Sequence, residues 1–408
     1  MKQHVFIIAD IGQGANGSLH IGDEAMFFAN LDRYRRMGIR VAATSRTLSH
    51  QEEDFDEYLD LYISGYVAYY GLRWLAFLRK YMKVNLFPRK FRPTVEALAT
   101  ASLLHISGGG NINSIWAGHL FYRALMISIA RLYDIPVIMT GQTIGPISRT
   151  FHRNLLASAL RSVAYIGVRD QSDSVRELKL LHLKKTVIVV APDDAMFALP
   201  AQLHEDRKKE EHIIRVGLSL HEWSVDENEL QQQLHVLAAM TPRMRFVLIP
   251  HVVYPSGKDD LEFMQRVTRT IDPSRIETCT LPGSEEKFSI RHLVNLVTRE
   301  TAQIDLVVAT RYHAIVFALS SGVPAVACFG DEYYRIKNEG VLDMFFEDPE
   351  VYELDLRSVK KGDLARSATE IFANRQEVTS RLHQKMLSWG SDRDEYYCNL
   401  YNTYALCN

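Results

Sequence analysis

Cysteine is scarce in this chain: four in 408 residues, Cys279, Cys328, Cys398 and Cys407, with neither CxxC nor metal-ligand spacing. That excludes a disulfide scaffold and a zinc-finger module. Cys279 and Cys328 fall inside apolar runs, where a reduced core thiol is the plain expectation, and the expected compartment is the cytoplasm. An excess of one charge sign is missing too: 47 Lys and Arg stand against 49 Asp and Glu, a formal net charge of −2. No global basic field therefore draws the chain to nucleic acid. No apolar run approaches the roughly 20 residues of a spanning helix. The apolar part of "MKQHVFIIADIGQG" is too short for a signal peptide and is expected to form a first strand. Internal repeats and low-complexity segments are absent, and aromatics at 10% argue against disorder.

What is present is alternation. Short β-branched runs at 4–10, 39–45, 102–107, 135–141, 164–170 and 185–193 alternate with amphipathic segments such as 23–37, 119–133 and 149–162. Runs this short and continuous suit parallel strands buried on both faces, with crossover helices between. The pattern breaks at "LPAQLHEDRKKEEH" and restarts with runs at 213–220, 245–251, 275–281, 304–310 and 324–330. The expectation is an α/β protein of two Rossmann-like, doubly wound domains facing a cleft: residues 1–200, a charged linker 201–212, residues 213–363, and a helical tail 364–408 that packs back on either domain. In such sheets ligands bind beyond the carboxyl ends of the strands, and the unusual residues of this chain fall there.

After the first strand, "DIGQGANGSLHIGDEAMF" holds Gly12, Gly14, Gly17 and Gly22, followed by Asp23 and Glu24 at a helix start. The glycine loop does not open a helix and no acidic residue ends the second strand, which argues against a dinucleotide site. Helix capping accounts for one of the two carboxylates; the rest suits a loop that admits a ligand. "SGGGN" puts Gly108, Gly109 and Gly110 before Asn111 and Asn113, either as a tight βα turn or as backbone N–H groups and amides for an anion or sugar. Gln142 ends the fourth strand and Arg169 the fifth. Arg169 with Asp170 is either a structural pair or a guanidinium fork for a carboxylate or phosphate. Asp193 and Asp194 suit acid/base work or a helix cap. His221 and His251 each follow a strand, but two histidines without a third ligand do not make a zinc site, and no metal is expected. Finally "ATRYHAIVFALSSGVPAVACFG" delivers Arg311 and His313 where a buried strand meets a buried helix, a place where a core has no use for them and an anion does.

"IGDEAM", "SGGGN", "GQTIGP", "VRDQSDS", "PDDAMF" and "ATRYHAIVFALSSGVPAVA", in this order from about residue 10 to 330, resemble the polysaccharide pyruvyl transferase family. The resemblance implies a GT-B-like fold and transfer of a pyruvyl group from phosphoenolpyruvate to two sugar hydroxyls as a cyclic ketal, with no cofactor. It also implies that Arg169, Arg311 and His313 hold phosphoenolpyruvate. On that basis His313 is expected as the acid, with Asp23 or Glu24 as base or acceptor ligand from the opposing domain. Gly22, Gly108, Gly109, Gly110, Asn111 and Gln142 are then expected to line the acceptor side.

Two alternatives share the fold: a glycosyltransferase that uses a nucleotide-sugar, and a glycan-binding protein without activity. The segment "YVAYYGLRWLAFLRKYMKVNLFPRKFRP" interleaves aromatics with Arg73, Arg79, Lys80, Lys83, Arg89, Lys90 and Arg92. It fits an amphipathic helix packed on the sheet with a solvated basic face. It also fits peripheral contact with the inner face of a membrane, where a lipid-linked oligosaccharide acceptor would be met.

Overall fold

A computed structural model describes residues 4–13, 18–48, 50, 54–60, 65–198, 213–223, 225–253, 260–279 and 289–406. The expected linker 201–212 and the loop glycines Gly14 and Gly17 lie outside the described residues.

Along the first half run β1 (His4–Ile11), β2 (Leu19–His20), β3 (Arg40–Ser45), β4 (Asp56–Leu59), β5 (Leu103–Ile106), β6 (Gly109–Ile112), β7 (Val137–Ile144), β8 (Tyr165–Val168) and β9 (Val187–Val190). The second half adds β10 (Ile214–Ser219), β11 (Met244–Leu248), β12 (Val252–Val253), β13 (Ile276–Thr278), β14 (Leu306–Ala309), β15 (Ala325–Phe329) and β16 (Glu353–Asp355). The long apolar runs became strands because nearly all their side chains are buried on both sheet faces: Val5 to Ile8 are inaccessible, as are Val137 to Met139.

One sheet has the order β4-β3-β1-β5-β7-β8-β9, with β6 also paired to β7; the other has β13-β11-β10-β14-β15-β16. Every pairing within both is parallel. Counted along the chain, the second order is 3-2-1-4-5-6, the doubly wound Rossmann arrangement. Its direction of winding reverses between β10 and β14, and in the first sheet between β1 and β5. Those two switch points are where a ligand crevice opens in such sheets.

The chain divides into two compact units, one made of Met1–Gly14, Met26–Asp194 and Asp392–Asn408, the other of Ala15–Ala25 and Ala195–Ser391. The sequence boundaries put Ala15–Ala25 with the first domain and set residues 392–408 apart as tail. The contacts assign the former to the second unit and the latter to the first. The first exchange has a local cause: β2 pairs antiparallel with β12, and the Ile21 amide donates to the His251 carbonyl at 3.0 Å. The second rests on the helix Arg375–Tyr401, whose Arg393 and Tyr397 bond Asp194.

In the second unit "SGVP" makes the turn from the helix Tyr312–Ser320 into β15. Gly322 sits at φ 71°, where a Cβ would also fall 2.1 Å from His383 Nε2, so both conformation and space call for glycine.

Candidate active site

In the second unit the residues that follow β10, β14 and β15 gather at the sheet's switch point. Arg311 is the N-cap residue of the helix Tyr312–Ser320, and no side chain caps that helix end. The guanidinium is fixed by Asp260: Nε donates to both carboxylate oxygens at 3.1 and 3.0 Å, and Nη2 donates to Oδ1. Asp260 is itself almost fully buried and accepts the amides of His251 and Val252 at 3.1 and 3.0 Å. The pair is a planar fork, which lysine could not reproduce. Of the Arg311 side chain, 22% remains accessible.

His313 lies in the first turn of the same helix, half-buried. Its imidazole packs on Gly22: a Cβ built at Gly22 would stand 1.9 Å from Nδ1. The absence of a side chain at position 22 is thus what leaves room for the ring. Asp23, half-buried, and Glu24, buried, follow in the first turn of the helix Ile21–Arg36. The sequence expectation placed these carboxylates on the opposing domain. The β2–β12 pairing instead makes them part of the unit that carries His313.

His221, just past β10, is 4% exposed, and neither ring nitrogen has a hydrogen-bond partner among the described residues. Its ring lies 4.5 Å from that of Tyr334. Burial, then the cations Arg311 and Lys337, hold it well below the usual histidine range, so the ring is neutral. Lys337 Nζ stands 4.9 Å from the ring centre of Tyr333 and 5.3 Å from that of Tyr312. His251 is braced: Nδ1 meets the Ser219 hydroxyl at 2.8 Å, and burial lowers its pKa to about 4. Two cations, a buried neutral histidine and an uncapped helix N-terminus in one place suit a multiply charged anion.

The first unit holds the other expected residues, and there most of them are bonded to buried groups of the same unit. Arg169 is 1% exposed; Nη1 donates to Asp193, and Nε to Thr143 Oγ1 at 2.8 Å. Asp170 accepts the Ser174 amide at 2.7 Å, and burial raises its pKa. Asp193 and Asp194 are both ion-paired, with Arg169 and Arg393, and stand at the start of the short 3-10 helix Asp194–Phe197, where the sequence expected a short capped helix. Gln142 is inaccessible and braces three carbonyls, those of Ile106, Ser107 and Thr140. Asn111 donates to Asp10, which also takes Arg123 Nη2 at 2.5 Å and His119 Nδ1 at 3.1 Å. Burial opposes that charge, but Arg123 and His119 hold Asp10 well below the usual carboxylate range. Gly108 is a close-approach position, since a Cβ there would fall 2.4 Å from Met26 Sδ; at Gly109 the nearest atom would be Asp10 Oδ2 at 3.7 Å. The Gly110 carbonyl accepts from Asn113 at 2.7 Å. "SGGGN" thus leads into the short strand β6 over a buried ion pair and does not form the expected βα turn.

The sequence did not single out Asp260, Lys337 or Tyr334. Asp260 had a signal, the "DD" at the start of an amphipathic segment following the second strand of the second series. Lys337 and Tyr334 had none.

The parallel 3-2-1-4-5-6 sheet finds counterparts among solved structures. HepE of Anabaena in complex with UDP is similar over 99% of both chains at 12% identity, with a TM-score of 0.59. The S. aureus MnaA–UDP structure is similar over 98% of this chain and 96% of that one, at 9% identity and a TM-score of 0.58. MurG of Acinetobacter baumannii is similar over 94% and 95%, at 13% identity and a TM-score of 0.51. These likenesses show the fold, which is of the GT-B type. A search of curated proteins finds no match. The family model for polysaccharide pyruvyl transferase matches residues 20–331, well over half of the sequence, and the chain belongs to the polysaccharide pyruvyl transferase family.

Proposed function

We propose that the protein moves a pyruvyl group from phosphoenolpyruvate to a pair of sugar hydroxyls, closing a cyclic ketal, in the building of cell-surface or extracellular polysaccharide. The observation that carries this reading is Arg311, locked by buried Asp260 at the start of an uncapped helix, with His313 seated beside it on Gly22. Phosphoenolpyruvate brings a carboxylate and a phosphate, which suit a guanidinium fork and a helix N-terminus. His221 and Lys337 offer further contacts to the same anion. Arg169 enters as the second guanidinium on the family resemblance rather than on exposure.

The enol carbon C3 takes a proton, a sugar hydroxyl attacks C2, and a second hydroxyl displaces phosphate. One hydroxyl proton balances the new methyl group and the other leaves with inorganic phosphate. His313 supplies the proton to C3, and Asp23 or Glu24 takes the proton of the attacking hydroxyl. The sequence of steps takes no cofactor.

Phosphoenolpyruvate is expected to raise the unfolding temperature by about 2–4 °C at a hundredfold excess over its dissociation constant, and Arg311→Ala to remove the shift. A second reading, nucleotide-sugar transfer, is favoured by structural neighbours solved with UDP. Stabilisation by UDP-sugars with none by phosphoenolpyruvate would decide for it.

Gly22→Ala offers a sharper test. The added methyl must displace the His313 ring, and a misplacement near 1 Å costs about a hundredfold in rate. Alanine also favours a helix by roughly 1 kcal/mol over glycine, which offsets part of the clash. Activity should therefore fall far more than stability. Retained turnover would mean that the ring position does not matter.

A further inference from the structure

We propose that the helix Tyr66–Met82 and the segment after it form a docking surface for an anionic lipid bilayer. The inner face of this helix, with Tyr69 and Ala76 buried, packs against the core of the first unit. Its outer face is apolar and exposed: Val67 is 85% accessible, Met82 62%, Trp74 and Tyr81 59% each. The rings on that face touch one another, and Tyr66 and Tyr70 also reach Phe151 at 4.4 Å and the buried Tyr69 at 5.0 Å. Trp74 stacks on Phe77 at 5.2 Å, Phe77 meets Tyr81 at 4.7 Å, and Tyr66 meets Tyr70 at 4.6 Å. A solvated helix face has no use for such a ladder, and a contiguous exposed patch of this kind marks a contact surface.

Charge chooses the occupant. From Tyr66 to Val95 there is no Asp or Glu but seven Lys and Arg, in a chain whose net charge is −2. Three of the seven are engaged internally: Arg79 with the Tyr133 hydroxyl at 2.7 Å, Lys80 with Asp134 at 3.0 Å, and Arg92 with the Phe87 carbonyl at 2.9 Å. Arg73, Lys83, Arg89 and Lys90 are exposed around the aromatic face. Beside the helix lies a cavity of about 340 Å³ lined by Arg73, Lys80 and Arg131, by Asp134, the partner of Lys80, and by three serines and an apolar wall. Three cations against one carboxylate suit a phosphodiester headgroup. A second copy docked face to face would set like charges against each other, whereas an anionic bilayer satisfies both the cations and the interfacial aromatics. None of the described helices is long and apolar enough to cross a membrane, so the helix lies on the surface.

The surface is independent of the transfer reaction, and vesicle binding reads it without turnover. The full chain should float with vesicles containing about 30 mol% phosphatidylglycerol and bind pure phosphatidylcholine at least about tenfold more weakly. Arg73→Glu/Lys83→Glu/Lys90→Glu should weaken binding to the anionic vesicles by roughly a hundredfold. Trp74→Ser/Phe77→Ser should weaken it as well, and circular dichroism should show both exposed-site variants folded. Equal binding to both vesicle types, or by both variants, would overturn the proposal. So would a concentration-dependent dimer that Trp74→Ser/Phe77→Ser dissolves, with no vesicle binding by the parent; that would assign the face to a second copy.

Discussion

His313→Ala is expected to lower pyruvyl transfer by roughly a thousandfold, within the range for a positioned general acid, while the unfolding temperature stays near that of the parent. The residue sits half-buried in the first turn of an apolar helix, where alanine is a good helix former. Its ring fills space left by Gly22 and does not plug the core. The loss should fall on kcat, because the proton to C3 is delivered only as the transition state forms. Arg311→Ala should instead fall on kcat/KM for phosphoenolpyruvate, since the guanidinium meets an anion present from the ground state onward. Asp260→Asn is the informative third member. It touches no substrate, yet it holds both Nε and Nη2 of Arg311, so it should reproduce part of the Arg311 defect and add little in the double variant. Turnover followed by phosphorus NMR, as phosphoenolpyruvate giving way to inorganic phosphate, reads all three. Unchanged kcat in His313→Ala would remove that histidine from the chemistry, and additive losses for Asp260 and Arg311 would remove the positioning role.

The strands were legible because burial on both faces writes itself as unbroken Val/Ile/Leu runs, and both series stood where the sheets now are. The switch-point placement of Arg311 and His313 was legible for the same reason: polar residues directly after such a run lie at a carboxyl end. Other parts left no local mark. β2 and β12 are two residues each, too short for any periodicity, and they are what carry Gly22, Asp23 and Glu24 into the second unit. Arg169 and Asn111 show the converse ambiguity. Their residue types suit a ligand as well as a buried carboxylate, and only the fold supplied Asp193 and Asp10 as partners. The basic-aromatic segment was ambiguous because periodicity gives the two faces of a helix but not which of them is covered.

The largest effect on stability is expected in the first unit, at a pair separated by 199 residues in sequence. Asp194 is 1% exposed; one carboxylate oxygen accepts Arg393 Nη2 at 2.7 Å and the Tyr397 hydroxyl, the other Thr140 Oγ1 at 2.5 Å and Asn30 Nδ2 at 3.1 Å. Arg33 lies over the Tyr397 ring at 3.7 Å, so the long C-terminal helix is bound to the first unit through one buried charge network. Burial pulls Arg393 down to about 10, which leaves it charged at neutral pH. Removing one partner of such a pair strands the other and costs about 3–5 kcal/mol, so Arg393→Met should lower the urea midpoint of the first unit sharply. Asp194→Leu/Arg393→Met should recover much of that loss, because an apolar replacement of both charges leaves neither unpaired. The pH dependence carries the sign. Burial opposes the charge on Asp194, but Arg393 and Arg33 hold its folded pKa below the unfolded value of about 3.9. Its contribution is present above that unfolded value and is lost as pH falls through the folded one. The parent should therefore lose stability in acid over a window that the double variant lacks. A double variant as weak as Arg393→Met would show that the network's hydrogen bonds, not its charge pairing, hold the helix in place.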